Sequence, residues 1–401
     1  MMKKYLPCLF FLFVCSILSA QTPFKVVGYL PYYRFSWLND IEFQHVTHVN
    51  ISFANPDSLG NFSVSGVSVT NAVQKAHSKG CKVFISLAGG YLTPNQDATW
   101  NYLCQPANRA FFIQKIVQYV QAKGFDGVDI DLEWQYIQDW YSPFILDLKA
   151  ALAPLGLPLT AALPGSYRYP EITNQALSAF DWINMMVYDL TGPWNPANPG
   201  QHSPYSWAQD CIQYWLNQGV PAQKLTLGVP FYGYDFGVSP VTSFTYRYIV
   251  SLSTANAQLD QVGNRYYNGI PTIEAKTQLA LDQVSGVMIW ELGEDAFGTN
   301  IEYSLLRAIR NTAGPVSAVQ DLPADALSVY PNPVQDQLFI NIPNAVEAQL
   351  EITDLQGKLM HALHTDGAYT IQINTETLHP GIYLLTLSDG KQRKSTRFIK
   401  S

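Results

Sequence analysis

At 401 residues the chain has room for one α/β barrel of roughly 250 residues with a smaller domain beside it. A hydrophobic fraction of 47% and an aromatic fraction of 13% exclude disorder as the main state, and 14% charged residues fall well below the usual value of about 25%. With a net charge of -7 and no basic tract before the last dozen residues, nucleic acid is excluded as a partner; the aromatic surplus suits uncharged, ring-shaped ligands, carbohydrate first, although buried aromatics are also core filler.

Lys3 and Lys4, an apolar run from Leu6 to Leu18, and Ser19-Ala20 before Gln21 predict a secretory signal peptide over residues 1–20, cleaved after Ala20. The run is too short to span a bilayer, and no later stretch reaches the roughly 18 apolar residues that a span needs. Cys8 and Cys15 belong to this leader, which leaves Cys81, Cys104 and Cys211. Buried thiols are the default expectation for these three, with one Cys81–Cys104 bridge as the alternative, and none has a partner at zinc-ligand spacing.

From Phe24 to about Arg310, eight short apolar runs alternate with helix-period segments such as 109–121 and 143–152. The runs cover 25–30, 46–53, 82–87, 127–132, 159–163, 182–188, 225–229 and 286–290. Continuous apolar strands that each precede a helix predict a parallel sheet, and eight such units in about 290 residues predict a TIM (β/α)8 barrel. A doubly wound open sheet is the rival, but no glycine fingerprint for a phosphate supports it.

The fourth run reads Phe125-Asp126-Gly127-Val128-Asp129-Ile130-Asp131-Leu132-Glu133-Trp134. Side chains alternate along a strand, so Asp129, Asp131 and Glu133 share one face while Val128, Ile130 and Leu132 share the other. Three carboxylates directed into a barrel repel one another, so at least one pKa is expected to rise, which makes a candidate general acid. The alternatives are an acidic surface strand or a divalent-metal site, for which no further ligands stand out; Trp134 follows as a candidate sugar platform.

All nine tryptophans lie between Trp37 and Trp290. Residues 311–326 (NTAGPVSAVQDLPADA) lack periodicity and read as a linker, with the domain boundary drawn as barrel 21–312, linker 313–326 and tail 327–401. Short alternating runs at 337–342, 349–352, 370–373 and 382–387, separated by turns, make the tail a small all-β sandwich.

Asp126, Asp129, Asp131 and Glu133 match D-x-x-D-x-D-x-E, and on that motif residues 24–310 resemble glycoside hydrolase family 18, the chitinase family. Val27-Gly28-Tyr29, His48 to Phe53, Met186-Val187-Tyr188-Asp189, Leu227 to Gly233 and Gly286 to Glu291 are similar to its first, second, sixth, seventh and eighth strands. Two positions depart from the family pattern: Ala88 replaces the first glycine of S-x-G-G, and Tyr234 stands where an Arg is frequent. Only about 50 residues separate Gly233 from Gly286, so the α+β insertion that walls the cleft of many members is expected to be absent.

The resemblance implies substrate-assisted catalysis, in which the sugar's own 2-acetamido oxygen is the nucleophile. Glu133 would then be the acid, Asp131 would hold the acetamido N–H with Asp129 sharing a proton behind it, and Tyr188 would donate to the acetamido oxygen. Trp290 would floor the subsite, with Tyr29, Phe53, Met186 and Asp189 as walls and Asp126 as structural support. For Trp290 and Phe53 plain core packing is the alternative, and for Asp189 and Glu291 a structural hydrogen bond. Tyr330-Pro331-Asn332-Pro333, Asp354 to Lys358, Gly381-Ile382-Tyr383 and the basic ending Lys391, Arg393, Lys394, Arg397 and Lys400 resemble a type IX secretion sorting domain; a carbohydrate-binding sandwich is the alternative. Together these imply a secreted or surface chitinase, monomeric, with no cofactor or metal, whose partners are an N-acetylglucosamine polymer and the type IX machinery. The competing functions are an endo-β-N-acetylglucosaminidase acting on N-glycans and a non-catalytic chitin lectin.

Overall fold

The computed structural model describes residues 24–314, 328–330, 332–341, 347–354, 357–366, 370–388 and 393–400. The expected leader, its cleavage site and linker residues 315–326 lie outside the described residues, as do Pro331, Leu355, Gln356 and Lys391 of the tail motifs. Eight parallel strands are present: β1 (Lys25–Pro31), β2 (His48–Pro56), β3 (Lys82–Gly89), β4 (Gly127–Leu132), β5 (Leu159–Pro164), β6 (Trp182–Met186), β7 (Leu225–Pro230) and β8 (Gly286–Trp290). They close into a barrel because β1 pairs with β8 along one edge (Val27 opposite Met288) and with β2 along the other (Tyr29 opposite Asn50). The expected TIM barrel is therefore formed.

The helices are α1 (Thr70–His77), α2 (Pro94–Leu103), α3 (Pro106–Lys123), α4 (Tyr141–Leu152), α5 (Asn174–Ala179), α6 (Tyr205–Asn217), α7 (Tyr246–Leu252), α8 (Ile270–Gln283) and α9 (Leu305–Ala313). Local chemistry sets their ends: α2 opens on a Thr93/Gln96 capping box with Pro94 first, and α3 stops at Gly124, whose φ of +71° suits glycine. The strands read as continuous apolar runs because both faces are buried. Val83, Ile85, Val128 and Ile130 pack outward with Phe112, Ile116, Phe144 and Leu148 of the helices. Val27, Tyr29, Phe84, Ala162, Trp182 and Met288 fill the inside.

Three expectations change. The ladder of β6 ends at Met186 rather than Tyr188, because the backbone beyond it bonds to a loop instead: Leu190 N donates to His202 O at 2.9 Å. A reduced α+β excursion does lie between β7 and β8, with an antiparallel sheet of Tyr232–Asp235, Thr242–Thr245, Gln261–Val262 and Arg265–Tyr266. Its last two strands are two residues each around Gly263-Asn264, too short to show periodicity. The linker cannot begin at Asn311, since α9 continues to Ala313 and ends at Gly314 with φ +72°. Asp295 fixes the start of α9 by accepting from Leu305 N at 2.8 Å and from Ser304 Oγ at 2.5 Å. Cys81, Cys104 and Cys211 are free and buried, so the alternative bridge is not formed.

The chain divides into two units at Val316/Ser317. In the second, Ser328–Tyr330, Gln337–Asn341 and Thr370–Asn374 form one antiparallel sheet, and Leu359–Asp366, Glu347–Asp354, Gly381–Ser388 and Arg393–Lys400 form another. Leu338, Ile340, Leu350, Ile352, Ile373, Leu385 and Phe398 share its core.

Candidate active site

Register carries Asp129, Asp131 and Glu133 into the barrel: Ser86 pairs with Asp129 and Ala88 with Asp131 along β3 and β4, and Glu133 follows the last rung. Asp129 is 0% exposed and its carboxylate accepts four hydrogen bonds. Tyr29 OH and Ser86 Oγ each donate to Oδ2 at 2.7 Å, Thr160 Oγ1 donates to Oδ1 at 2.6 Å and Asn184 Nδ2 at 3.2 Å. Asn184 Oδ1 in turn accepts from Trp182 Nε1 at 3.1 Å and Thr226 Oγ1 at 2.8 Å, so six strands contribute to one network. Burial raises the Asp129 pKa, and these bonds offset part of that rise.

Asp131, one layer above, is 3% exposed and its Oδ1 has no hydrogen-bond partner. Burial first, then the neighbouring charges of Glu133 and Asp129, push its pKa well above the usual carboxylate range. Glu133 is raised to about 7, by burial and then by the charge of Asp189. A side chain at position 90 would put its Cβ 2.3 Å from Glu133 Oε1, so Gly90 is what leaves the acid its place.

The remaining predicted residues separate into three settings. Tyr188, Met186 and Trp290 converge above the acidic ladder, with Phe53 stacked on Trp290 at 5.8 Å. Asp189 takes a φ of +68°, costly for a non-glycine residue, and accepts bonds from Tyr232 OH and from Tyr234 OH at 2.9 Å. Trp134, with φ +53°, projects at 61% exposure. Tyr29 is no wall: it is buried below Trp290, because its hydroxyl is drawn down to Asp129. Glu291 is buried and tied to Arg34 Nε at 2.6 Å and to Gly293 N at 2.8 Å, the structural hydrogen bonding given above as one of its two readings. Asp126 sits outside the barrel lumen and accepts from Val83 N at 2.8 Å while lying 2.7 Å from His77 Nε2 and 3.0 Å from Lys82; burial would raise its pKa, but these partners hold it below the usual value.

A cleft of about 570 Å³ opens beside Glu133, walled by Trp134, Tyr167, Met186, Tyr188, Trp194 and Trp207. Sequence reasoning did not find Trp194, Tyr167 or Trp207. An aromatic inside the Gly/Pro-rich loop Gly192-Pro193-Trp194-Asn195-Pro196 was the available signal, since aromatics on such loops face solvent unless they have a ligand. Among the described residues no group of three or more His, Cys, Asp or Glu is placed to hold a metal ion.

The model of glycosyl hydrolases family 18 matches residues 25–295, and that of the secretion system C-terminal sorting domain matches residues 328–401. The chain belongs to glycoside hydrolase family 18. It is similar in structure to the GH18 chitinase ChiB from the chitin utilization locus of Flavobacterium johnsoniae, with 44% identity, a TM-score of 0.70, and 73% of this chain and 94% of that one covered. A chitinase from Bacteroides thetaiotaomicron is 29% identical with a TM-score of 0.64 over 73% and 97% of the two chains. Chitinase B of Serratia marcescens is 28% identical over 49% of this chain, which spans about half (52%) of that relative's length. Other curated chitinases are spanned over as little as 8% of their length.

Within this family 18 barrel the two departures have visible consequences. Ala88 holds a φ of +81° where glycine would be unstrained. Tyr234 donates its hydroxyl to Asp189 at 2.9 Å, and the charge of Asp189 is one of the two causes that raise Glu133.

Proposed function

We propose that the chain is an exported chitinase that cleaves β-1,4-linked N-acetylglucosamine polymers by substrate-assisted, retaining catalysis. The observation that carries this reading is the placement of Glu133, which follows Asp129 and Asp131 on the inward face of the fourth strand and lines an aromatic cleft, where burial and the Asp189 charge raise its pKa to about 7. Glu133 donates its proton to the glycosidic oxygen as the bond to the anomeric carbon breaks. Asp129 is enclosed by four donors and Asp131 is almost fully buried, which favours the substrate's acetamido oxygen over a carboxylate as the nucleophile. Asp131 orients the acetamido N–H, and the Tyr188 hydroxyl, held protonated by burial and nearby carboxylates, donates to the acetamido oxygen as charge develops. Trp290 floors the donor subsite, with Phe53, Met186 and Asp189 beside it. Trp134, Tyr167 and Trp194 suit the faces of successive sugar rings in a linear chain.

The sorting domain supports passage across the outer membrane to the exterior or cell surface, and the leader read at residues 1–20 fits the same route. Incubation with tetra-N-acetylchitotetraose and, separately, with a high-mannose glycoprotein, read by mass, tests the reading. Shorter N-acetylated oligomers are expected from the first, with turnover lowered roughly 10²–10⁴-fold in Glu133→Gln. Glycan release from the glycoprotein alone would favour the endoglycosidase.

A further inference from the structure

Tyr188 and Asp189 lie beyond the last rung of β6, so the barrel ladder does not hold them. Their backbone is held instead by the loop that leads into α6. Ser203 Oγ donates to Val187 O, Leu190 N donates to His202 O at 2.9 Å, and Asp189 N meets His202 Nδ1 at 3.4 Å. His202 Nε2 lies 3.2 Å from Tyr232 O, so a proton on Nε2 leaves Nδ1 to accept from Asp189 N; the same Nδ1 stands 3.5 Å from Asp189 Oδ1, which makes His202 the titratable group that faces Asp189 from this loop. Residues 202 and 203 are thus a strap across the end of the sixth strand.

The other side of the strap is anchored away from the cleft. Lys276 of α8 is 0% exposed, and its ammonium donates to Ser203 O and Ser203 Oγ at 2.6 Å and to Asn268 Oδ1 at 2.7 Å. Asn268 Nδ2 donates to Ser203 O at 3.1 Å, and Gln201 Nε2 donates to Asp260 O. Three N–H donors therefore meet three acceptors, and neutral lysine would lose one of them. Burying that ammonium without a carboxylate in bonding distance is costly. Burial lowers the Lys276 pKa to about 7 against the charges of Asp260 and Cys211, the titratable groups that act on it.

We infer that Lys276 is a positioning residue, which acts through Ser203 and His202 to fix Tyr188 and Asp189 at the cleft. The inference deepens the proposed catalysis and rests on the roles given there to Tyr188 and Asp189. Its effect on the reaction has a definite sign. Asp189's charge helps to hold the Glu133 proton, so a loosened Asp189 lets the Glu133 pKa fall.

The test uses Lys276→Met, Ser203→Ala and the double variant in the full chain, with two readouts. One is the pH profile of kcat/KM on tetra-N-acetylchitotetraose; the other is tetramer affinity measured in a Glu133→Gln background, which needs no turnover. Each single variant is expected to lower kcat/KM about tenfold, weaken tetramer binding severalfold and move the alkaline limb down by roughly half a pH unit. The double variant is expected to be no worse than Lys276→Met, because both act on one strap. Ser203→Ala removes only a hydroxyl and keeps the comparison usable if Lys276→Met folds poorly. A lowered melting temperature with affinity and alkaline limb unchanged, or losses that multiply in the double variant, would overturn the inference. An unmodified chain that does not cleave the tetramer contradicts the chitinase reading instead, and the affinity arm still decides the role of Lys276.

Discussion

The Glu133 pKa is raised to about 7 because the carboxyl is buried and feels the charge of Asp189, which accepts from two tyrosine hydroxyls and lies 3.5 Å from His202 Nδ1. In the proposed mechanism the protonated form is the active one, so kcat/KM should decline above about pH 7, tenfold per unit. Asp189→Asn removes one of the two causes of the rise, and the alkaline limb is expected to move to lower pH; an unmoved limb in a folded variant would show that burial alone sets the value. How much of this was legible depended on spacing. Three carboxylates at alternate positions of one strand announce themselves in the sequence. The groups that hydrogen-bond Asp129 and offset part of its raised pKa stand at 29, 86, 160 and 184, each an ordinary residue in its own strand, and only barrel closure makes them its neighbours.

Among elements, the eight barrel strands were readable because each is buried on both faces and carries a run of apolar residues, whereas the segments that shape the cleft carry no period at all. Tyr167 lies in the turn after β5 and Trp194 in the loop after β6, where no hydrophobic pattern marks them. Trp194 is 58% exposed, its ring lies over Gly192, where any Cβ would come within 2.6 Å, and its edge meets Tyr234 at 5.7 Å. Trp194→Ala should therefore leave the fold intact and raise KM for the tetramer about fivefold, near 1 kcal/mol of lost ring stacking, with kcat little changed. An unaltered KM for tetramer and longer chains would remove Trp194 from the binding surface. The short hairpin at Gly263 shows the same limit from the other side, since a two-residue strand is fixed by its turn and by its neighbours rather than by its own sequence.

For the whole molecule, the tryptophan-free tail was separable by composition, and its own hydrophobic core accounts for that separability. The exact boundary was not readable, because the last turn of α9 is written in the same small polar residues as the segment after it. Truncation after Gly314 keeps α9 whole, and turnover on soluble oligomers is expected to stay within about twofold of the full chain, as for independently folded units. In the native host the same truncation should leave the protein in the periplasm; export that persists while binding to insoluble chitin is lost would make the tail a carbohydrate-binding module. The central claim is that the substrate's acetamido group does the work of the second carboxylate. Proton NMR of the first products from tetra-N-acetylchitotetraose, recorded before mutarotation and beside the N-deacetylated tetramer, tests it most directly. The β anomer should appear first and the deacetylated chain should remain uncut, whereas initial α anomer or equal cleavage of both would contradict it.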